Sequence, residues 1–208
     1  MSEQFPDRTT LSVLHFLRCA GFTIPLRITQ ATGLTESTVE STLIDLGVAG
    51  FVTKTPGEFG GWGLTPAGTA EDARLIADEL DRAGAREAVT ATFAAFMVLN
   101  PEALDLCSAW QMRSVDGTML PNDHSAADYD ARVMGLFADF HERAATVCAE
   151  LSAALPRFDH YHRRLTDALD RAKGGDIDYV TDNTNSYHTV WFQLHEDLLV
   201  TLGIPRTH

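Results

Sequence analysis

The chain of 208 residues is poor in basic residues: 16 Lys and Arg stand against 29 Asp and Glu, a formal net charge of −13 at pH 7. Nonspecific affinity for nucleic acids comes from Lys and Arg that neutralise phosphates. The composition therefore excludes a protein that coats DNA or RNA through charge alone. The acidity is uneven, because residues 1–70 carry four basic and six acidic side chains, whereas residues 71–208 carry twelve and twenty-three.

Long apolar runs are also missing. No stretch approaches the roughly 18 apolar residues that a membrane-spanning helix needs, and the first twenty residues have no basic segment before their short apolar part. We therefore expect no membrane partner, no signal peptide and a cytoplasmic location.

Cysteine is scarce, with Cys19, Cys107 and Cys148 widely spaced in apolar surroundings typical of helices. An odd number at such spacing is unlike a disulfide framework or a zinc knuckle. The pattern predicts buried, reduced thiols.

Motifs of common enzyme classes are absent as well. The sequence has no G-x-S-x-G, phosphate-binding loop, dinucleotide fingerprint or H-E-x-x-H, and H195-E-D lacks the second histidine of a zinc-protease helix. We predict that the chain is not an enzyme.

The first part of the chain shows a helix-rich pattern followed by a hairpin. Apolar spacing predicts helices over residues 10–20, 25–32 and 36–48, with a left-handed turn at Gly33 and an N-cap at Thr35. In the third helix Val39, Leu43 and Leu46 are expected to face inward. F51-V-T-K-T and W62-G-L-T, separated by a Gly- and Pro-rich turn, predict two short strands.

This order of elements, together with I28-T-Q-A-T-G-L-T-E-S-T-V, G50-F-V and L64-T-P-A-G68, resembles the MarR-like winged helix-turn-helix regulators. The resemblance covers about the first seventy residues. It implies a β-hairpin wing, a homodimer and double-stranded DNA as the partner.

One departure from that family concerns the recognition helix. Such regulators often carry a pattern like S-x-S-T-V-S-R, whereas this chain has E36-S-T-V-E-S-T, so that Glu40 and Ser41 replace serine and arginine. DNA contacts then depend on hydroxyl groups, helix N-terminal amides and few cations. The candidate DNA-binding residues are Arg27, Thr35, Ser37, Thr38, Ser41, Thr42 and Lys54.

The rest of the chain predicts further helices. Residues 66–99 indicate one long helix, or two with a bend at Gly84, which Asn100 and Pro101 end. An irregular polar loop over residues 116–125 precedes helices at about 126–154, 157–173 and 184–202. The expected fold is mainly α: a winged helix-turn-helix domain at 1–68, a connecting or dimerisation helix at 69–100, and an all-helical dimerisation or effector domain at 101–208.

Histidines and aromatic residues concentrate in the last segment. Asp139-Phe140-His141, residues 165–176 and His188 loosely resemble the helical ligand domain of GntR-type regulators of the FadR group, which implies an Asp and three His around a metal or carboxylate. Three interpretations remain open: a small-molecule pocket, a divalent-metal site, or a structural dimer core. No metal ligand is assigned, and the candidate effector-binding residues are Trp110, Tyr129, His141, His188, Trp191 and His195.

The sequence as a whole favours a dimeric, DNA-binding transcriptional regulator, and leaves open whether it responds to a small-molecule effector. The alternative is an adaptor whose winged-helix module binds protein and no longer binds DNA.

Overall fold

The computed structural model describes residues 8–57 and 60–205, and these are mainly helical. Backbone contacts divide the chain into two compact units, here called unit 1 (Met1–Gly84 and Glu196–His208) and unit 2 (Ala85–His195). Residues 69–84 and 196–205 thus belong with the N-terminal part.

Over its described residues, unit 1 contains four helices and a hairpin, together with the last turns of a helix that begins in unit 2. The predicted helices and strands of this part are present, with bounds that differ from prediction by at most two residues. The elements are α1 (Arg8–Ala20), α2 (Pro25–Thr32), α3 (Glu36–Val48), β1 (Val52–Thr55), β2 (Gly61–Leu64) and α4 (Pro66–Ala83).

The core of unit 1 forms where the apolar faces of α1, α2 and α3 meet. Val39, Leu43 and Leu46 are buried in it, which confirms their predicted inward orientation. The helical period of 3.6 residues places these three side chains on one face of α3. Their partners include Val13, Leu14, Phe16, Leu17, Ile28, Ala31, Val52 and Leu75.

The β1–β2 hairpin is antiparallel and anchored to the loop after α1. Val52 pairs with Leu64 and Lys54 with Trp62, while Thr23 and Trp62 exchange backbone hydrogen bonds of 2.7 and 2.9 Å. At the far end of β2, Gly68 in α4 lies so close to Phe51 that any Cβ would overlap the Phe51 carbonyl oxygen. Glycine therefore permits this close packing of α4 on the hairpin.

Unit 2 is built from long helices and a second hairpin. A left-handed Gly84 (φ 60°) separates α4 from the first of them, so the predicted bend is a helix end. The elements are α5 (Arg86–Gln111), β3 (Met112–Val115), β4 (Thr118–Pro121), α6 (Ala127–Ala154), α7 (Asp159–Lys173) and α8 (Tyr187–Leu202), whose last turns belong to unit 1.

The prediction that Asn100 and Pro101 end the helix is wrong, because α5 continues to Gln111. A proline inside a helix costs about 3 kcal/mol through its missing N–H and its steric clash. Buried residues lie on both sides of Pro101, Val89 and Phe96 before it and Leu106 and Trp110 after it. Apolar burial at about 1.5–3 kcal/mol for each large side chain exceeds that cost.

The all-helical prediction for residues 101–208 is wrong at the β3–β4 hairpin, which was expected to be an irregular loop. Asp116 and Gly117 have φ values of 51° and 82° and connect the strands. Asp-Gly favours the two-residue turns that need positive φ at both positions, and its presence was the overlooked signal.

Ala126 occupies the N-cap position of α6, and the Ser125 hydroxyl just before it donates to Asp123.

No helix among residues 8–57 and 60–205 combines the length and the apolarity needed to cross a bilayer.

Candidate functional site

The turn between α2 and α3 determines how α3 is presented. Gly33 adopts a left-handed conformation (φ 73°) and its N–H donates to the Thr29 carbonyl, which ends α2. Two residues later the Thr35 hydroxyl accepts from the Thr38 N–H at 3.2 Å and caps α3. A Thr cap of this kind contributes about 1 kcal/mol of helix stability. A well-formed helix N-terminus with an exposed first turn results.

The exposed face of α3 is polar in its first half and apolar in its second. Ser37, Glu40 and Ser41 are exposed in the first half, and Ile44 and Val48 follow at the same helical spacing. Val48 is 87% exposed. The sequence shows that no cation lies on α3, so direct electrostatic attraction from this helix to an anion comes only from its N-terminal amides.

Thr42, one of the candidate DNA-binding residues, does not lie on this exposed face. Its side chain is buried and its hydroxyl donates to the Thr38 carbonyl at 2.8 Å. A β-branched threonine can bond back to the preceding turn in this way, which removes it from surface contacts. Thr38, which is half-buried, also shares a 2.7 Å hydroxyl contact with Thr35.

The candidate cations lie off α3. Lys54 is exposed on β1, with its ammonium 5.7 Å from the centre of the Trp62 ring. Arg27 on α2 is half-buried, and burial lowers the pKa of its guanidinium. An ammonium over an aromatic face is held by cation–π attraction yet keeps its charge available to solvent.

In unit 2, His141 on α6 belongs to a closed hydrogen-bonded chain. Its Nδ1 lies 3.2 Å from the Tyr187 hydroxyl and its Nε2 lies 3.2 Å from the Thr166 hydroxyl. The Thr166 hydroxyl donates its proton to the His162 carbonyl, so it must accept the hydrogen bond from His141 Nε2–H. The other ring nitrogen, Nδ1, then accepts from the Tyr187 hydroxyl. Burial, followed by the charges of His162 and Lys173, lowers the pKa of His141 and favours this neutral form.

The remaining predicted effector residues are separated into other groups. His195 packs against Phe96, which stacks on Trp191 at 4.5 Å, while the Trp191 indole donates to Asn100. His188 is half-buried near the start of α8, where its backbone N–H donates to the Val180 carbonyl.

Trp110 and Tyr129 lie near the β3–β4 hairpin. Trp110 packs against His124, and the Tyr129 hydroxyl donates to the Ala109 carbonyl at 2.7 Å. Asp130 near the start of α6 accepts from the Asn122 amide at 2.8 Å and contacts His124. The structure therefore does not gather the predicted histidines into one site.

Unit 1 contains a buried polar cluster that was not predicted from the sequence. His15 on α1 lies between two carboxylates: its Nδ1 is 3.0 Å from Asp72 on α4, and its Nε2 is 3.0 Å from Asp197 on α8. The exposed fractions of His15, Asp72 and Asp197 are 7%, 0% and 1%. The Cys19 sulfur is 3.5 Å from the same Nε2, and the Thr201 hydroxyl is 3.0 Å from Asp197 Oδ1.

Burial raises the pKa of the Cys19 thiol; His15 opposes this rise, while Asp197 and Asp72 add to it. All three cysteines are buried, as predicted.

A sequence signal for this cluster exists in the helical periodicity. Asp72 lies three and four residues before the buried Leu75 and Ile76, and Asp197 lies three residues after Leu194. A carboxylate at a core position of an amphipathic helix demands a partner, because burying an unpaired charge is costly. His15 and Cys19, four residues apart, share one face of α1.

Comparison with known proteins adds no relative: no family model, curated protein or solved structure matches the chain.

Proposed function

We propose that the protein is a DNA-binding transcriptional regulator in which unit 1 acts as a winged helix-turn-helix. The observation that carries the proposal is the sequence of elements around α3. A sharp turn at Gly33 leads into a Thr35-capped helix with an exposed polar first half, and the β1–β2 hairpin follows in the same unit. In proteins of this plan the second helix of the pair enters the major groove.

The chemistry of the exposed groups supports a specific type of contact. Hydroxyls of Thr35, Ser37 and Ser41, together with amides at the start of α3, can donate to phosphate oxygens. Lys54 supplies an exposed positive charge from β1. Ile44 offers an apolar surface of the type that contacts thymine methyl groups. We therefore expect weak binding by one copy, strong dependence on salt, and a preference for A·T-containing sites.

A homodimer would strengthen such weak contacts, because two half-sites held together raise the effective concentration of the second module. Unit 2 exposes apolar side chains that a second copy would cover, which makes it the proposed dimerisation region. They include Met97, Val98, Leu104, Met119, Leu120, Leu136 and Phe192. A small-molecule effector stays a prediction without an assigned site.

A second candidate function is an adaptor whose unit 1 binds another protein. It is favoured by Ile44 and Val48, which make the second half of the α3 surface apolar beside the acidic Glu40. Apolar exposed patches mark protein interfaces, and acidic groups repel phosphates.

The two candidate functions are distinguished by measuring DNA affinity at increasing salt. The chain's two lysines provide a test variant and a matched control. A duplex is first selected from a random pool at low salt, and its affinity is measured by fluorescence anisotropy at increasing salt. Lys54→Gln is expected to weaken binding and to reduce the log–log salt slope by about one, since one phosphate contact is lost. Lys173→Gln, exposed in unit 2, should leave the slope unchanged.

Enrichment of no duplex at any salt would favour the adaptor. Equal slopes for both lysine variants would mean that the β1–β2 hairpin does not contact DNA.

A further inference from the structure

We propose that His15, Cys19 and Asp197 form a binding site for one zinc ion. The three donor atoms, His15 Nε2, Cys19 Sγ and Asp197 Oδ1, lie within 4.8 Å of one another, and all three residues are buried. Among the residues that the structure describes, this is the group of His, Cys, Asp and Glu donors close enough to share an ion. The site joins α1 to the last turns of α8 within unit 1.

Two of the three separations between donors are close to those around a tetrahedral ion, and the third lies within 4.8 Å. Zinc binds imidazole nitrogen and carboxylate oxygen at about 2.0–2.2 Å and thiolate sulfur at about 2.3 Å. Tetrahedral angles then place nitrogen and oxygen about 3.4 Å apart, and nitrogen and sulfur about 3.6 Å apart. The observed distances from His15 Nε2 are 3.0 Å to Asp197 Oδ1 and 3.5 Å to Cys19 Sγ. Small movements of side chains would bring all three donors onto one ion.

Asp72 completes an arrangement that is common around bound metals. Its carboxylate lies 3.0 Å from His15 Nδ1 and is fully buried, so it accepts the Nδ1–H and directs the Nε2 lone pair away from itself. Histidines that bind metals generally donate their other N–H to a carboxylate or carbonyl, which fixes the tautomer and ring orientation. We assign Asp72 the role of a positioning residue, without contact to the ion.

Charge balance also favours a cation here. Two carboxylates, Asp72 and Asp197, are almost completely buried, each 3.0 Å from one nitrogen of a single imidazole. Burying a charge costs several kcal/mol per ion, and a nearby opposite charge offsets part of that cost. A divalent ion bound to Asp197 and to Cys19 as a thiolate, with release of the thiol proton, balances these two negative charges, while Asp72 stays paired with the His15 Nδ1–H. Mixed nitrogen, oxygen and sulfur donors suit zinc better than magnesium or calcium, which prefer oxygen alone.

The ligand set leaves the fourth tetrahedral position for water or an external ligand. Thr201 holds Asp197 in place, with its hydroxyl 2.7 Å from the Asp197 backbone carbonyl and 3.0 Å from Oδ1. One oxygen of the Asp197 carboxylate, Oδ1, is enough to bind the ion, so the second oxygen of that carboxylate is not required as a ligand.

Cobalt substitution tests the site directly in the full chain after removal of metals by a chelator. Co²⁺ alone is titrated, because its thiolate complexes give an intense near-ultraviolet charge-transfer band. We expect one equivalent of Co²⁺ with this band, and its displacement by one equivalent of Zn²⁺. Cys19→Ser should abolish the band, whereas the control Cys148→Ser, in unit 2, should retain it.

Asp72→Asn tests the positioning role. This nearly isosteric change should preserve the charge-transfer band while weakening Co²⁺ affinity by about 10–100-fold. Unchanged affinity would overturn the role of Asp72.

Absence of the band in the wild-type chain, or an equal band in Cys19→Ser, would overturn the metal site and leave a hydrogen-bonded Asp–His–Asp cluster. Native mass spectrometry provides a second readout, with one Zn²⁺ per wild-type chain expected and none in Cys19→Ser. Neither experiment includes DNA, so failure here is distinct from failure of the proposed regulator function.

Discussion

His15→Ala is expected to lower the free energy of unfolding of unit 1 by about 3–5 kcal/mol in metal-free buffer. The imidazole lies 3.0 Å from both Asp72 and Asp197, and both carboxylates are buried. Removing it leaves two buried acids without their shared partner and opens a cavity between α1 and α4. The loss is measurable by hydrogen exchange of α1 and α4 peptides along a urea series.

The control for this prediction is His162→Ala. His162 is exposed on α7 in unit 2, where such a change is expected to alter stability by at most about 0.5 kcal/mol. Adding Asp72→Asn to His15→Ala should restore part of the stability, because it removes one of the stranded charges. A loss below 1 kcal/mol for His15→Ala, or no recovery in the double variant, would contradict the role of His15 as the partner of two buried acids.

Ser41→Arg is expected to raise affinity for a selected duplex about tenfold and to increase the log–log salt slope by about 0.9. Ser41 is exposed on α3 at the position where the resembled family often carries arginine. An arginine there can contact phosphate or pair with guanine, a contact that contributes about 1–3 kcal/mol. The new side chain lies four residues before Asp45, but an exposed ion pair of that kind is weak and does not prevent the gain.

Ser108→Arg provides the matched control, because Ser108 is exposed on the helix α5 of unit 2 and the charge change is identical. It should produce only the small effect of a less negative chain. Equal gains from the two substitutions would mean that affinity follows net charge rather than contact with α3.

Much of the fold could be predicted from the sequence because it follows local rules. Apolar periodicity, the left-handed Gly33 and the Thr35 cap define α2 and α3 without tertiary information. The error at Pro101 arose because helix propensity is local, whereas the burial of α5 on both sides of the proline depends on the rest of unit 2.

The sites were harder to predict, because they depend on contacts between distant segments. The histidine-rich segment suggested one cluster, yet His141 is satisfied by Tyr187 and Thr166, and His195 packs against Phe96. The buried cluster instead joins His15 to Asp197, residues at opposite ends of the chain. The sequence signal for this cluster was that Asp72 and Asp197 each fall on the buried, apolar face of a helix. DNA binding and the MarR-like resemblance stay predictions.

Contact between the exposed face of α3 and duplex DNA is the central claim, and site-specific photocrosslinking tests it most directly. Ser37→Cys and the control Ser108→Cys each provide an exposed thiol for a photoreactive aryl azide, while the three native thiols are buried. Irradiation with a selected duplex is predicted to attach DNA to the label at position 37 and not to the label at position 108. Attachment at neither position, or equally at both, would contradict a DNA-reading role for α3.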